Sequence, residues 1–393
     1  NRPITIVMSK STISMKFVTP VLMSFFVMSF CDLVGIGVDR VKMDFTLSNT
    51  LAQLIPSAVF LWFFVLSVPV GILQDRIGKR TVLNIGMLIT AMGLFFPYFF
   101  YSFEMALFGF AMLGIGNTIV QVSANPLLVD VVPANRRSSF LSLSQFVKAI
   151  GSMIAAPLAG WLALKFGDWK LLFLVFGVVS LLSVIWLYFN DIEETKNTEK
   201  RATFASSFKL LGSGYISMMV LGIFLVVGID VGVNAFSGQF LLAKFNSAQT
   251  FAESGRSVYF FGKMLGTLGG AILLAKLSTR KFFIWSTILG LISILSLIFA
   301  PADSVAMVLI FVIGLGVANI FPIIYSLTVE KFPLRTNEIS GLMIMAVCGG
   351  AVLPLLMGWI SDLTGNVVTA MMVLVAAISY LLFLSLFSAK SKT

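Results

Sequence analysis

DIEETKNTEKRATFASSFKLLG, residues 191–212, is the only long polar stretch in a chain of 393 residues. Elsewhere the composition is 58% hydrophobic and 11% charged, with a mean hydropathy of +1.01, far outside the range of soluble domains. Six apolar runs precede the polar stretch, at about 17–39, 50–74, 80–101, 104–129, 138–163 and 169–190. Six follow it, at about 213–241, 254–275, 282–300, 304–330, 338–361 and 367–388. Each is long enough to cross a hydrocarbon core of about 30 Å as a helix, and none shows the two-residue alternation that a membrane barrel requires. The expected fold is therefore an all-α membrane protein with twelve transmembrane helices. An N-terminal six-helix bundle spans 1–190, a linker 191–212 and a C-terminal six-helix bundle 213–393.

The net charge of +10 raises the question of a nucleic-acid partner, but the basic residues lie in alternate short loops and not in one patch. With both termini and the linker on the cytoplasmic side, nineteen of the 27 lysines and arginines fall on that side and six on the other. This bias sets the orientation of an integral plasma (inner) membrane protein. Lys148 and Lys263 remain inside the membrane. The chain has no histidine, and its two cysteines, Cys31 and Cys348, fall within apolar runs. No disulfide framework, metal site or cofactor is expected, and the first run is too long for a cleaved signal peptide.

The two sets of six resemble each other. Gly114-Ile-Gly116 recurs as Gly314-Leu-Gly316 and Asp130-Val-Val-Pro133 as Glu330-Lys-Phe-Pro333, both 200 residues on. Gly160-Trp161 recurs as Gly358-Trp359 and Gly167 as Gly365, both 198 residues on. Agreement of four pairs at nearly one offset indicates an internal duplication. Paired six-helix repeats are the architecture of alternating-access transporters, which hold solute near the midplane between the halves.

"GILQDRIGKR", Gly71 to Arg80, lies between the second and third runs and resembles the G-x-x-x-D-R-x-G-x-R signature of the major facilitator superfamily. The resemblance implies the major facilitator fold and a conformational latch formed by Gly71, Asp75, Arg76, Gly78 and Arg80, with Arg76 or the Arg136–Arg137 pair as partners of Asp75. Its duplicate, Ala271 to Lys281, keeps Lys276, Arg280 and Lys281 but lacks the aspartate and glycines. "QVSANPLL" (Gln121 to Leu128), "VVGIDVGV" (Val226 to Val233) and "LMIMAVCGGAVLPLLMGWISD" (Leu342 to Asp362) are similar to the fucose:proton symporter family, which includes glucose/galactose transporters. That similarity implies a sugar symporter. Three positions depart from it. Val34-Gly35 replaces a typical Asn-Asp, with Asp32 one turn earlier. A fifth-run asparagine is Lys148. An eighth-run arginine is Thr267, with Lys263 one turn away.

Lys148 lies about ten residues into its run, or about 15 Å, close to the bilayer centre. A charge at that depth costs several kcal/mol unless it faces the interior and has a partner or a use. Asp32 and Asp230 occupy matching repeat positions 198 residues apart. Either the two lysines neutralise the two aspartates, or at least one receives an anionic solute group such as a sugar carboxylate. The aspartates are candidates for cation coupling, by proton or by sodium, with Asp230 preferred because it matches a family acidic position. Asn117, Gln121, Asn125, Asn234 and Asn319 offer paired donors and acceptors for a hydroxyl-rich solute. Phe321 and Tyr325 are candidates for stacking on a sugar face.

These residues point to a secondary transporter that imports a monosaccharide or sugar acid by cation symport, working as a monomer in the lipid bilayer with no nucleic-acid partner. The alternatives are a facilitator or antiporter of another small organic anion, or a multidrug efflux pump, which would want a more apolar cavity and fewer amides. No nucleophile with an identifiable base supports a membrane enzyme.

Overall fold

The computed structural model describes residues 14–47, 54–194 and 203–390. Arg2, Lys10 and Lys392 lie outside the described residues, as does the middle of the linker with Lys196, Lys200 and Arg201. The first half contains α1 (Met15–Met28), α2 (Val34–Asp44), α3 (Leu54–Ile77), α4 (Lys79–Phe99), α5 (Phe103–Val131), α6 (Arg137–Phe166) and α7 (Leu171–Tyr188). The linker carries a short helix, α8 (Phe204–Lys209). The second half contains α9 (Gly214–Phe245), α10 (Gln249–Leu273), α11 (Thr279–Ile298), α12 (Asp303–Val317), α13 (Ile320–Lys331), α14 (Thr336–Met345), α15 (Gly349–Thr364) and α16 (Val367–Lys390).

Among the described residues, sixteen helices for twelve runs reflect the linker helix and three runs that break. The first run tightens into a 3-10 turn at Ser29–Leu33, between α1 and α2. The tenth breaks at Ala318 and Asn319, and the eleventh has a 3-10 turn at Ala346–Cys348. Irregular backbone at membrane depth is tolerated only where protein or water covers it, so each break belongs to the bundle interior. Eleven segments among the described residues are long and apolar enough to cross a membrane. The remaining run, α10, is long enough at 25 residues but carries Glu253, Arg256 and Lys263.

The duplication reappears in the packing. Gly114 on α5 lies against the backbone of Val59, and Gly314 on α12 against that of Tyr259, 200 residues on. Gly116 meets Gly86 and Thr90, while Gly316 meets Ser286 and Gly290, again at that offset. Gly167 and Gly365, 198 apart, both end their helices in the left-handed conformation, with φ of 74° and 62°. In a bilayer solvent, helix association rests on such close backbone approach, because lipid tails are as apolar as the side chains. On α10, Gly262, Gly266 and Gly270 form one stripe that seats the helix against α12 and the tenth-run break, with Asn319 over Gly270. The opposite side of α10 is thereby set toward α9, which carries Asp230.

Between the halves, α3 packs on α14 and α6 on α10. The hydrogen bonds that join the halves among the described residues gather at the linker end. Ser138 Oγ bonds Ser326 Oγ at 2.9 Å, Thr279 Oγ1 bonds Ser138 Oγ at 3.2 Å, Ser139 Oγ donates to the Ala271 carbonyl, and Ser340 Oγ donates to the Val122 carbonyl at 2.6 Å. This end of the molecule is closed.

At the far end the outer tip of α2 is held by Asp44. It accepts from the Tyr101 hydroxyl at 2.6 Å and from Trp169 Nε1 at 3.0 Å. Burial first, and the neighbouring Asp44 carboxylate second, hold the Tyr101 phenol well above its usual pKa, so it stays a donor at any physiological pH.

A branched side chain at the centre of the α10 stripe has no room, since a Cβ at Gly266 would lie 2.8 Å from the Ala318 Cβ and 2.9 Å from the Leu315 carbonyl. Gly266→Val is expected to lower stability by about 1–3 kcal/mol, the usual cost of overpacking. Thermal unfolding of the purified variant measures it; an unchanged midpoint contradicts the packing.

Candidate functional site

The interior charges sit on four elements. Asp32 lies in the 3-10 break between α1 and α2, Lys148 on α6, Asp230 on α9 and Lys263 on α10. Both α6 and α10 line the contact between the halves.

The two lysines are in different situations. Lys263 Nζ lies 2.5 Å from Asp230 Oδ2, and the buried Tyr259 donates its hydroxyl to Asp230 Oδ1 at 2.6 Å. Tyr259 is one helical turn before Lys263 on α10, so one face of one helix holds both oxygens of the carboxylate. The Lys148 ammonium has no hydrogen bond or ion pair among the described residues. Asp32 and, more weakly, Asp230 influence its ammonium electrostatically. Asp32 accepts instead from Ser152 Oγ, one turn beyond Lys148 on α6, and Ser152 also lies 3.2 Å from the Lys148 carbonyl. Asp32 is exposed, and the Asp230 and Lys263 side chains keep 25% and 26% exposure.

The amides divide as well. Asn117 Nδ2 donates to the Met28 carbonyl at 2.8 Å, Gln121 Nε2 to Asn117 Oδ1 at 2.9 Å, and Asn125 Nδ2 to the Gln121 carbonyl at 2.8 Å. This is a ladder up α5 that ties it to the end of α1, just before the break. Gln121, at 8% exposure against 0% for Asn117 and 1% for Asn125, is its most open rung. Asn319 donates to the Gly266 carbonyl at 2.7 Å and is buried in the tenth-run break. Asn234, one turn after Asp230, is half-buried with an unpartnered Oδ1 among the described residues. Tyr325 stacks on Phe321, with centroids 6.4 Å apart, and lies fully buried beside Ser340 in the closed linker end, away from the charged cluster.

In the loop at Gly71–Arg80, Asp75 accepts from Asn337 Nδ2 of the other half at 3.1 Å. This partner was absent from the expectation of an arginine. Gly71 lies against the Asn337 carbonyl and Gly341, and Gly341 against the Ser67 carbonyl, so α3 and α14 touch backbone to backbone. Gly78 turns with φ of 93°, and Glu194 caps the start of α4, accepting from the amides of Lys79 at 2.6 Å and Arg80 at 3.0 Å. Arg80 Nη1 donates to the Asn190 carbonyl at 2.5 Å and Asp191 Oδ1 at 3.1 Å. Lys79 Nζ pairs with buried Asp130 at 2.5 Å. Arg76 is at the exposed end of α3.

Sequence reasoning missed Ser152, Tyr259 and Asn337. The first two stand four residues from the interior lysines, a spacing that places them on the same helix face. Asn337 meets Asp75 across 262 residues of sequence, with no local signal.

A glucose/galactose transporter of Brucella abortus biovar 1 (strain 9-941) is 27% identical over 395 residues, covering 95% of this chain and 94% of the relative. The L-fucose-proton symporter of Escherichia coli (strain K12) is 22% identical over 363 residues, covering 83% and 82%. The solved structure of a Major Facilitator Superfamily transporter, FucP, in the outward conformation superposes with a TM-score of 0.85 at 18% identity, over 95% of this chain and 99% of that one. That likeness carries the fold alone. The Major Facilitator Superfamily profile matches residues 20–251 and 219–393, so the chain belongs to that superfamily and is an integral membrane transporter, not an enzyme.

Proposed function

We propose that this transporter imports a solute of the monosaccharide class, with a sugar acid preferred over the neutral sugar, and that a proton accompanies it. Relatives named for glucose, galactose and fucose support the sugar class. One observation carries the acid. The half-buried Lys148 has no ion pair among the described residues, while Lys263 is already paired with Asp230, whose second oxygen Tyr259 holds.

A compact ammonium at the midplane is suited to a single carboxylate. We assign Gln121, whose side-chain amide donates to Asn117, and the half-buried Asn234 to the hydroxyl groups. Asn319 and Tyr325 take part in packing in this conformation and would meet solute only if the linker end opened.

The coupling group we favour is Asp32, in preference to Asp230. Both oxygens of Asp230 are occupied. Asp32 is exposed and shares the electrostatic field of Lys148 with any bound anion. A sodium ion at Asp32 would sit beside a fixed positive charge. Alternating access moves the loaded site between the two sides of an inner membrane, with both termini cytoplasmic and one chain sufficient for the pathway.

Lys148→Asn is expected to reduce affinity for glucuronate at least ~10-fold while glucose affinity holds or rises, consistent with loss of a charge-assisted contact. Uptake of labelled sugars into proteoliposomes measures it, and an unchanged preference for the acid overturns the assignment. Accumulation of the acid against its gradient should be lost in Asp32→Asn while exchange of labelled for unlabelled acid survives; accumulation unchanged in that variant overturns the coupling assignment.

The two lysines also differ in their expected effect on stability. In a double-mutant cycle read by thermal unfolding, Lys263→Met and Asp230→Asn should couple by about 1–2 kcal/mol, as a largely buried pair does. Lys148→Met should cost little or raise the midpoint. Equal losses for the two lysines would mean that Lys148 is a structural counter-charge.

A further inference from the structure

We propose that the end of the linker, Thr203–Gly212, is a strap that holds the linker end of the transporter shut. The segment is built for a fixed position. Thr203 and Ser206 form a capping box that starts α8, with the Ser206 amide 3.0 Å from Thr203 Oγ1 and the Thr203 amide 2.9 Å from Ser206 Oγ. The Ser206 hydroxyl also lies 2.5 Å from Glu338 Oε1 on α14.

Glu338 is a buried carboxylate, 4% exposed, and both its oxygens are engaged. Arg335 Nη2 donates to Oε1 at 2.8 Å and Arg335 Nε donates to Oε2. The same guanidinium reaches the Ser206 carbonyl at 3.2 Å. Four residues on, Leu210 and Leu211 pack on a small apolar cluster made by Val68 and Ile72 of α3, Leu342 of α14 and Ile216 of α9.

Helix periodicity explains why this matters for gating. On α14, Asn337, Ser340 and Gly341 form the face that meets the first half, at Asp75, Val122 and Ser67. Glu338, Leu342 and Met345, at spacings of four and three, form the face that meets the linker and its cluster. The strap is therefore bound to α14 by polar contacts and reaches past it to α3 by apolar ones. Opening the linker end separates α3 from α14 and must pull Val68 and Ile72 away from Leu210 and Leu211, exposing apolar surface to water. The strap favours the closed state by that amount, whatever the solute is.

Double electron–electron resonance tests this in lipid nanodiscs. Spin labels go at Arg136 and Lys281, exposed positions at the linker ends of opposite halves, in a Cys31→Ala/Cys348→Ala background. The parent should show a dominant short distance. Leu210→Ala/Leu211→Ala should raise the ratio of long to short distances at least ~5-fold, the scale expected for a two-state element that loses part of its bias. Ser206→Ala and Glu338→Gln should move it the same way, and Lys209→Ala, at an exposed position on the same segment, should not. A leucine-pair distribution identical to the parent overturns the proposal. Should Glu338→Gln not fold, Ser206→Ala removes only a half-buried hydroxyl and tests the polar anchor alone. No arm depends on which solute is carried.

Discussion

A charge inside a low-dielectric helix bundle has to be paired, hydrated or used, and the interior of this transporter is organised by that constraint. Lys263 is paired: Asp230 faces it at 2.5 Å and Tyr259 holds the second oxygen. The Lys148 ammonium has no ion pair among the described residues, with Asp32 turned to Ser152 beside it. A fully paired cluster would be a structural element. A cluster with one ammonium left over is the feature on which the proposed preference for an acidic solute rests.

The closed linker end covers this arrangement on one side. Glycines at 71 and 341 bring α3 and α14 into backbone contact, Asn337 bridges to Asp75, and the capped start of α4 fixes the loop between them. Polar contacts of this kind can separate and rehydrate at modest cost, because each partner regains water when the end opens. The apolar contacts of the linker lack that compensation. The bundle interiors, by contrast, are held by glycine-backed helix pairs that leave no room for adjustment, so motion is concentrated between the halves.

Much of the fold was legible in the sequence because it is written twice. Gly114 and Gly314, or Gly167 and Gly365, recur at one offset because each performs the same task in its half, close approach in the first pair and a left-handed helix end in the second. The three helix breaks were not legible. Ser29–Leu33 and Ala346–Cys348 contain no proline and no glycine, and a 3-10 turn there depends on neighbours from other runs. The interior charges were visible as outliers in apolar runs, but their pairing was not, since it depends on which face of α6 and α10 is turned inward. The hydroxyls of Ser152 and Tyr259, one turn from each lysine, were the available signal. Asn337 had none: its partner lies in the other half of the chain.

The structure of the transporter with a bound sugar acid tests the central claim most directly. Cryo-electron microscopy with glucuronate should place the carboxylate about 2.8 Å from Lys148 Nζ, the length of a charge-assisted hydrogen bond, with the Lys263–Asp230 pair intact. A carboxylate seated on Lys263 with that pair broken, or a sugar bound with Lys148 turned to Asp32, would contradict it.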